Sequence, residues 1–247
     1  MSCLPLRITG RAGRFGLLAA VLTALLLMPR TGLPQSDQPP EPQPESAAAA
    51  PYKPPLRGAP GGRVGGASRG SVKAAASLPT IDLLAPGDHA GLTANASPTL
   101  YFFLSQPVAW PTQLTISAPL QPAPVAEVTI PSPRSAGIHA VRLADYRVSL
   151  NPGIAYTWSI SIIVDPRTWA RNIVASATIL HSPPDPAIAG AANRPPLQRS
   201  GLYAQAGYWY DAVAAAYEAT FDRFAALTGL MRQVGLAEPT NYARAQR

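Results

Sequence analysis

Between residues 80 and 180 apolar and polar side chains alternate with a period of two, the repeat of a strand with one buried face. The pattern predicts seven strands, over residues 80–85, 99–105, 113–117, 126–130, 138–143, 155–164 and 173–180. In the second, Leu100, Phe102 and Leu104 share one face, and Tyr101 and Phe103 the other. In the sixth, Tyr156, Trp158, Ile160, Ile162 and Val164 oppose Ala155, Thr157, Ser159 and Ser161. Turn residues separate the runs: Pro-Gly at 86–87, Gln-Pro at 106–107, Ala-Pro at 118–119, Ser-Ala-Gly at 135–137, Asn-Pro-Gly at 151–153 and Asp-Pro at 165–166. Beyond residue 200 the period becomes 3.6. Leu202, Ala206, Trp209, Val213 and Tyr217 fall on one stripe, and Phe221, Phe224, Leu227, Met231 and Val234 on another. Thr220 is placed to cap a second helix, and Gly235 with Pro239 to end it. These stripes predict an antiparallel helix pair over residues 200–236 that packs on the β region or docks to a partner, followed by a tail, 237–247.

Seven short strands at this spacing predict a mainly β fold, an immunoglobulin- or fibronectin-III-like antiparallel sandwich over residues 80–181, carrying a C-terminal helical hairpin. The stretch LNPGIAYTW supports the sandwich. Pro152 fixes φ, Gly153 permits a positive φ, and the chain turns before Tyr156. A buried tyrosine hydroxyl needs a partner, and the corner's own backbone supplies one. Trp158, two residues on, then points into the core. Pro152, Gly153, Tyr156 and Trp158 are therefore read as a structural corner.

Outside the periodic regions, residues 1–33 carry three arginines ahead of an unbroken apolar run, residues 15–28. A helix of that run would be about 21 Å long, short of the roughly 30 Å hydrocarbon core of a bilayer. The arrangement predicts a signal peptide and export to the periplasm or cell envelope. No small-x-small cleavage triplet follows closely, so a retained membrane anchor is the alternative. Residues 34–79 are rich in Pro, Gly and cations and read as a disordered linker. Residues 182–199, rich in Pro and Ala, read as a second linker.

Charge narrows the partners. The chain's net +7 is concentrated in its N-terminal third. Residues 74–198 hold six arginines against six acids, so the β region has no broad field for sequence-specific nucleic acid binding. Lys53, Arg57, Arg63, Arg69 and Lys73 form a basic run suited to an anionic polymer or lipid. The one cysteine, Cys3, lies in the leader, so if the leader is removed the mature chain has no thiolate chemistry.

Several segments, taken in order, carry a resemblance: YKPPLRGAPGGRVGGASRG at 52–70, SPTLYFFLSQP at 97–107, VRLADYRVSLNPGIAYTW at 141–158 and GYWYDAV at 207–213. Together they resemble an exported bacterial family classed as a domain of unknown function. The resemblance implies secretion to the envelope, a β domain and a helical tail. It carries over no catalytic residue.

Candidate chemistry is sparse. His89 sits beside Asp88 in GDHAG and reads as a satisfied loop pair; His139 reads as solvent-facing and His181 as a strand end. No metal-ligand spacing, GxSxG, SxxK or paired-carboxylate motif is present, and no metal or cofactor is expected. Asp145 in LADY reads as a turn residue. In an immunoglobulin-like sandwich the connections after the second, fourth and sixth strands share one end. Trp110, Arg134, Arg167, Trp169 and Arg171 would then form a rim, of the residue types enriched in binding hot spots. The competing reading tucks both tryptophans over the core. The rim predicts a non-catalytic envelope binding or scaffolding module that recognises a protein or glycan. The alternatives are an envelope hydrolase with dispersed catalytic residues, or an electrostatic tether to anionic wall or lipid.

Overall fold

The structure, a computed structural model, describes residues 51–55, 61–64 and 78–246. The leader, most of the first linker, and Arg57, Arg69 and Lys73 lie outside the described residues.

Among the described residues eight strands form two sheets, one more strand than the alternation predicts. They are β1 (Ile81–Leu83), β2 (Gly91–Thr93), β3 (Thr99–Leu104), β4 (Thr112–Ser117), β5 (Ala126–Ile130), β6 (Gly137–Arg142), β7 (Ala155–Ile162) and β8 (Ile173–His181). The first sheet has the order β1-β3-β6 and the second β2-β8-β7-β4-β5. All pairings are antiparallel except β2 on β8, which is parallel. The added strand is β2. Three residues cannot display an alternation, and it pairs with a strand almost ninety positions away, so no local signal marks it. The core lies between the sheets, where Leu100, Phe102, Leu104, Leu114, Ile116, Tyr156, Trp158, Ile160 and Ile162 are buried.

Among the described residues four α-helices follow rather than a pair: α1 (Pro196–Gln205), α2 (Trp209–Glu218), α3 (Arg223–Gln233) and α4 (Ala237–Ala245). The predicted first stripe is broken at Gly207, whose φ of +85° ends α1 and starts a turn. Thr220 does not cap α3, which begins after Asp222 without a side-chain cap. Gly235 ends α3 with φ +70°, but Pro239 lies in the first turn of α4, where its missing N–H costs nothing. The predicted tail is thus the fourth helix. Within the predicted linker 182–199, 3₁₀ turns form at Pro186–Ile188 and Ala191–Asn193 before α1 begins.

The helices are integral to the sandwich. The first turn of α2 sits where the sheets meet on the β1/β8 side. There Trp209 Nε1 donates to Leu84 O at 2.8 Å. Trp158 Nε1 donates to the Tyr210 hydroxyl at 2.8 Å, and that hydroxyl donates to Thr178 O at 3.1 Å. The ring of Tyr210 lies so close to β2 that a Cβ on Gly91 would stand 2.7 Å from it. Helices also cover the outer face of the three-stranded sheet, with Tyr217 against Tyr101 and Tyr242 against Phe103. Both faces of β3 are therefore buried.

Parts of the predicted disordered linker belong to this folded unit. Tyr52 is buried against Trp209; its N–H donates to Gln233 Oε1 at 2.7 Å and the Lys53 N–H to Ala204 O at 3.0 Å. Further on, Val64 exchanges two backbone hydrogen bonds with Ser176, at 2.8 and 3.0 Å, adding an isolated bridge to the edge of β8. Two glycines allow that approach. A Cβ on Gly61 would meet Thr178 Oγ1 at 2.5 Å, and one on Gly62 would meet Gly87 O at 2.3 Å. Small residues, not flexibility, are what these positions demand.

Candidate functional site

The connections after β3, β5 and β7 meet at one end of the sandwich, and hydrogen bonds tie them together. Val108 N–H donates to Pro133 O at 3.0 Å, Ile163 N–H to Pro111 O at 2.9 Å, and Ser132 Oγ donates to Trp110 O at 2.7 Å. β4 lies between β7 and β5, so the β5 and β7 loops stand two interstrand spacings apart, about 10 Å.

The β7–β8 loop is organised around Asp165. Its carboxylate accepts from Arg167 N–H at 2.9 Å and from Arg171 Nη1 at 3.3 Å, while its own N–H donates to Asn172 Oδ1 at 3.0 Å. The Arg167 N–H bond, with further help from Thr168 and the Arg171 charge, holds this partly exposed carboxyl below its ordinary value. The Asn172 amide nitrogen is buried without a partner among the described residues. This ring of bonds fixes a short 3₁₀ turn, Trp169–Arg171, from which the Trp169 side chain stands 70% exposed.

The five rim residues therefore divide. Trp169, Arg134 and Arg167 are exposed on the joined loops. Arg171 is exposed but spends its charge on Asp165. Trp110 is partly buried and packs on the core, so it covers the sandwich instead of lining a contact surface. At the corner, the Asn151 N–H donates to the Tyr156 hydroxyl at 3.2 Å, Gly153 has φ +78°, and Trp158 is fully buried.

Beside Arg134 the other seam of the sandwich, between β5 and β6, is open. A groove of about 360 Å³ runs there, lined by Phe102, Ile130, residues 131–135, His139 and Tyr146. Alternation along the fifth predicted strand, 138–143, gave no sign of it, because β6 is an edge strand whose partner across the seam is a loop. His139, expected to face solvent, is half-buried against Phe102. Its ring nitrogen bonds Ser135 O at 3.0 Å, and burial lowers its pKa.

A second cluster joins Asp88, His89 and Tyr52. Asp88 Oδ1 lies 2.7 Å from His89 Nδ1, and His89 Nε2 lies 2.8 Å from the Tyr52 hydroxyl. This is the connectivity of a carboxylate–imidazole–hydroxyl relay, beside a cavity of about 480 Å³. Electrostatics argue against a nucleophile here. Burial, with the nearby Asp88 charge, pushes the Tyr52 phenol well above its ordinary value, so it stays protonated. The relay fastens the N-terminal segment to the 86–89 turn. Sequence reading found the Asp88–His89 pair but not Tyr52, thirty-seven positions away.

Arg63 leaves the predicted basic run. It is partly buried and faces Asp82 electrostatically, while Lys53 remains exposed. Among the described residues, no group of three or more His, Cys, Asp or Glu could hold a metal ion. No described helix is long and apolar enough to cross a membrane.

A family model described as Domain of Unknown Function (DUF928) matches residues 64–242. No curated protein and no solved structure matches the chain.

Proposed function

Since the chain belongs to the DUF928 family, whose description assigns no activity, we propose from its own geometry that it is a non-catalytic recognition module of the cell envelope. It binds a protein or glycan partner through the joined loops after β3, β5 and β7. The single observation that carries this reading is Trp169, a large aromatic held 70% exposed on a loop braced by the hydrogen bonds of Asp165 and Asn172. A solvent-exposed indole on a pre-ordered loop loses little entropy when it binds. Arg134 and Arg167 flank it as donors for carboxylate or phosphate groups, and the β5/β6 groove offers adjoining depth.

The immunoglobulin-like reading of the scaffold is supported by the strand orders and by the Tyr156 hydroxyl bonding its own corner. Export to the envelope rests on the basic-then-apolar leader. Lys53, Arg57, Arg69 and Lys73 add a salt-sensitive attraction to anionic wall or lipid; Arg63, turned toward Asp82, is not part of it.

The test is co-sedimentation of the full chain with fragmented bacterial envelopes. Trp169→Ala and the double variant Arg134→Ala/Arg167→Ala are each expected to weaken binding roughly tenfold or more. Retention equal to that of the unaltered chain in both variants overturns the reading.

A further inference from the structure

Away from the rim, four separate segments converge on a cavity of about 290 Å³: α1, α2, the turn between β2 and β3, and the 3₁₀ turn at Ala191–Asn193. Its floor is methyl groups, since Ala214 and Ala215 leave room above α2. Its walls are polar. Asp211, in the first turn of α2, is fixed by two bonds to β2 and the residue after it: the Ala94 N–H donates to Oδ2 at 2.9 Å, and the Thr93 hydroxyl also bonds the carboxyl. Glu218, two turns further along the same face, pairs with Arg199 of α1. Tyr203 of α1 completes the wall.

The charge balance selects the ligand. Arg199 and Glu218 neutralise each other. Burial, the largest influence on Asp211, pushes its carboxyl up to about 6, so the cavity is nearly neutral in mildly acidic conditions. An anion would compete with Glu218 for Arg199, and a cation with Arg199 for Glu218, so neither adds to the pairing already present. A neutral molecule that both donates and accepts at several points meets the Glu218 carboxylate, the Asp211 carboxyl, the Arg199 guanidinium and the Tyr203 ring together. The volume lies at the small end of ligand pockets, the size of one ring.

We propose that this cavity binds a single neutral sugar residue, with Asp211 and Glu218 accepting from hydroxyls, Arg199 donating, and Tyr203 against the ring. This goes beyond the rim reading and does not depend on it.

The test is isothermal or NMR titration of the full chain with glucose, galactose, mannose and N-acetylglucosamine, alongside choline and inorganic phosphate. At least one sugar is expected to bind saturably with millimolar affinity. Ala214→Leu fills the cavity while removing no polar group, and is expected to weaken that sugar about tenfold or more. Glu218→Gln, an exposed change that frees Arg199, is expected to shift its affinity several-fold. Trp169→Ala is expected to leave it unchanged, which separates this cavity from the rim. No saturable sugar binding up to about 50 mM, binding of choline or phosphate in its place, or undiminished sugar binding by both cavity variants overturns the proposal.

Discussion

Tyr210 illustrates how one side chain connects the two halves of the fold. It is fully buried, accepts from the Trp158 indole and donates to Thr178 O. Tyr210→Phe keeps the ring and removes both bonds, leaving a buried indole N–H without its acceptor. The expected cost is about 2 kcal/mol, measured by urea denaturation. Asp211 makes a prediction of a different kind. Its pKa is raised from 3.8 to about 6, so protonation favours the folded state. The stability this group contributes is complete below pH 4 and is lost as pH rises through 6, a change on the order of 3 kcal/mol. The groups facing it are Arg199, Tyr203 and Glu218 across the cavity and His181 from β8. Asp211→Asn keeps an acceptor for the Ala94 N–H and removes the titration. Its melting temperature is therefore expected to vary less than that of the unaltered chain between pH 4.5 and 7, in a scan of thermal unfolding against pH.

Elements that bury one face against a neighbour close in sequence are the ones a linear reading recovers. The Leu100–Phe102–Leu104 and Tyr156–Trp158–Ile160 alternations locate β3 and β7 to within a few residues. What escapes is set by distant partners. β2 exists because β8 offers a parallel edge at Ile179–His181. The first helical stripe spans what are two helices, α1 and α2, divided at Gly207. The segment around Gly61 and Gly62 looks unstructured in sequence because its order comes from backbone contact with β8 and Gly87, with almost no apolar burial. The rim loops could be placed together in advance by topology. The fate of their tryptophans could not, since only packing separates the half-covered Trp110 from the exposed Trp169. Contact through backbone also has a measurable consequence. Gly62→Ala puts a methyl where Gly87 O stands, so the Val64–Ser176 bridge is expected to open. Hydrogen exchange at the Ser176 amide, whose N–H donates to Val64 O, should quicken roughly tenfold.

At the scale of the whole molecule, the sandwich is closed on one side by α2 and open on the other along the β5/β6 groove. The closed side carries the indole and phenol bonds that join sheets to helices, so the described domain is expected to unfold as one cooperative unit. Coincident transitions in tryptophan fluorescence and far-UV circular dichroism would be the sign of it; an earlier loss of helix would contradict it. The open side and the loop end beside it are where a partner can reach braced but exposed side chains. The most direct measurement is therefore hydrogen exchange on the full chain, free and bound to envelope fragments, resolved by peptide. The account predicts slower exchange on binding across residues 105–111, 131–136 and 163–172. Exchange in those three loops at the unbound rate, while the chain is demonstrably bound, would contradict it.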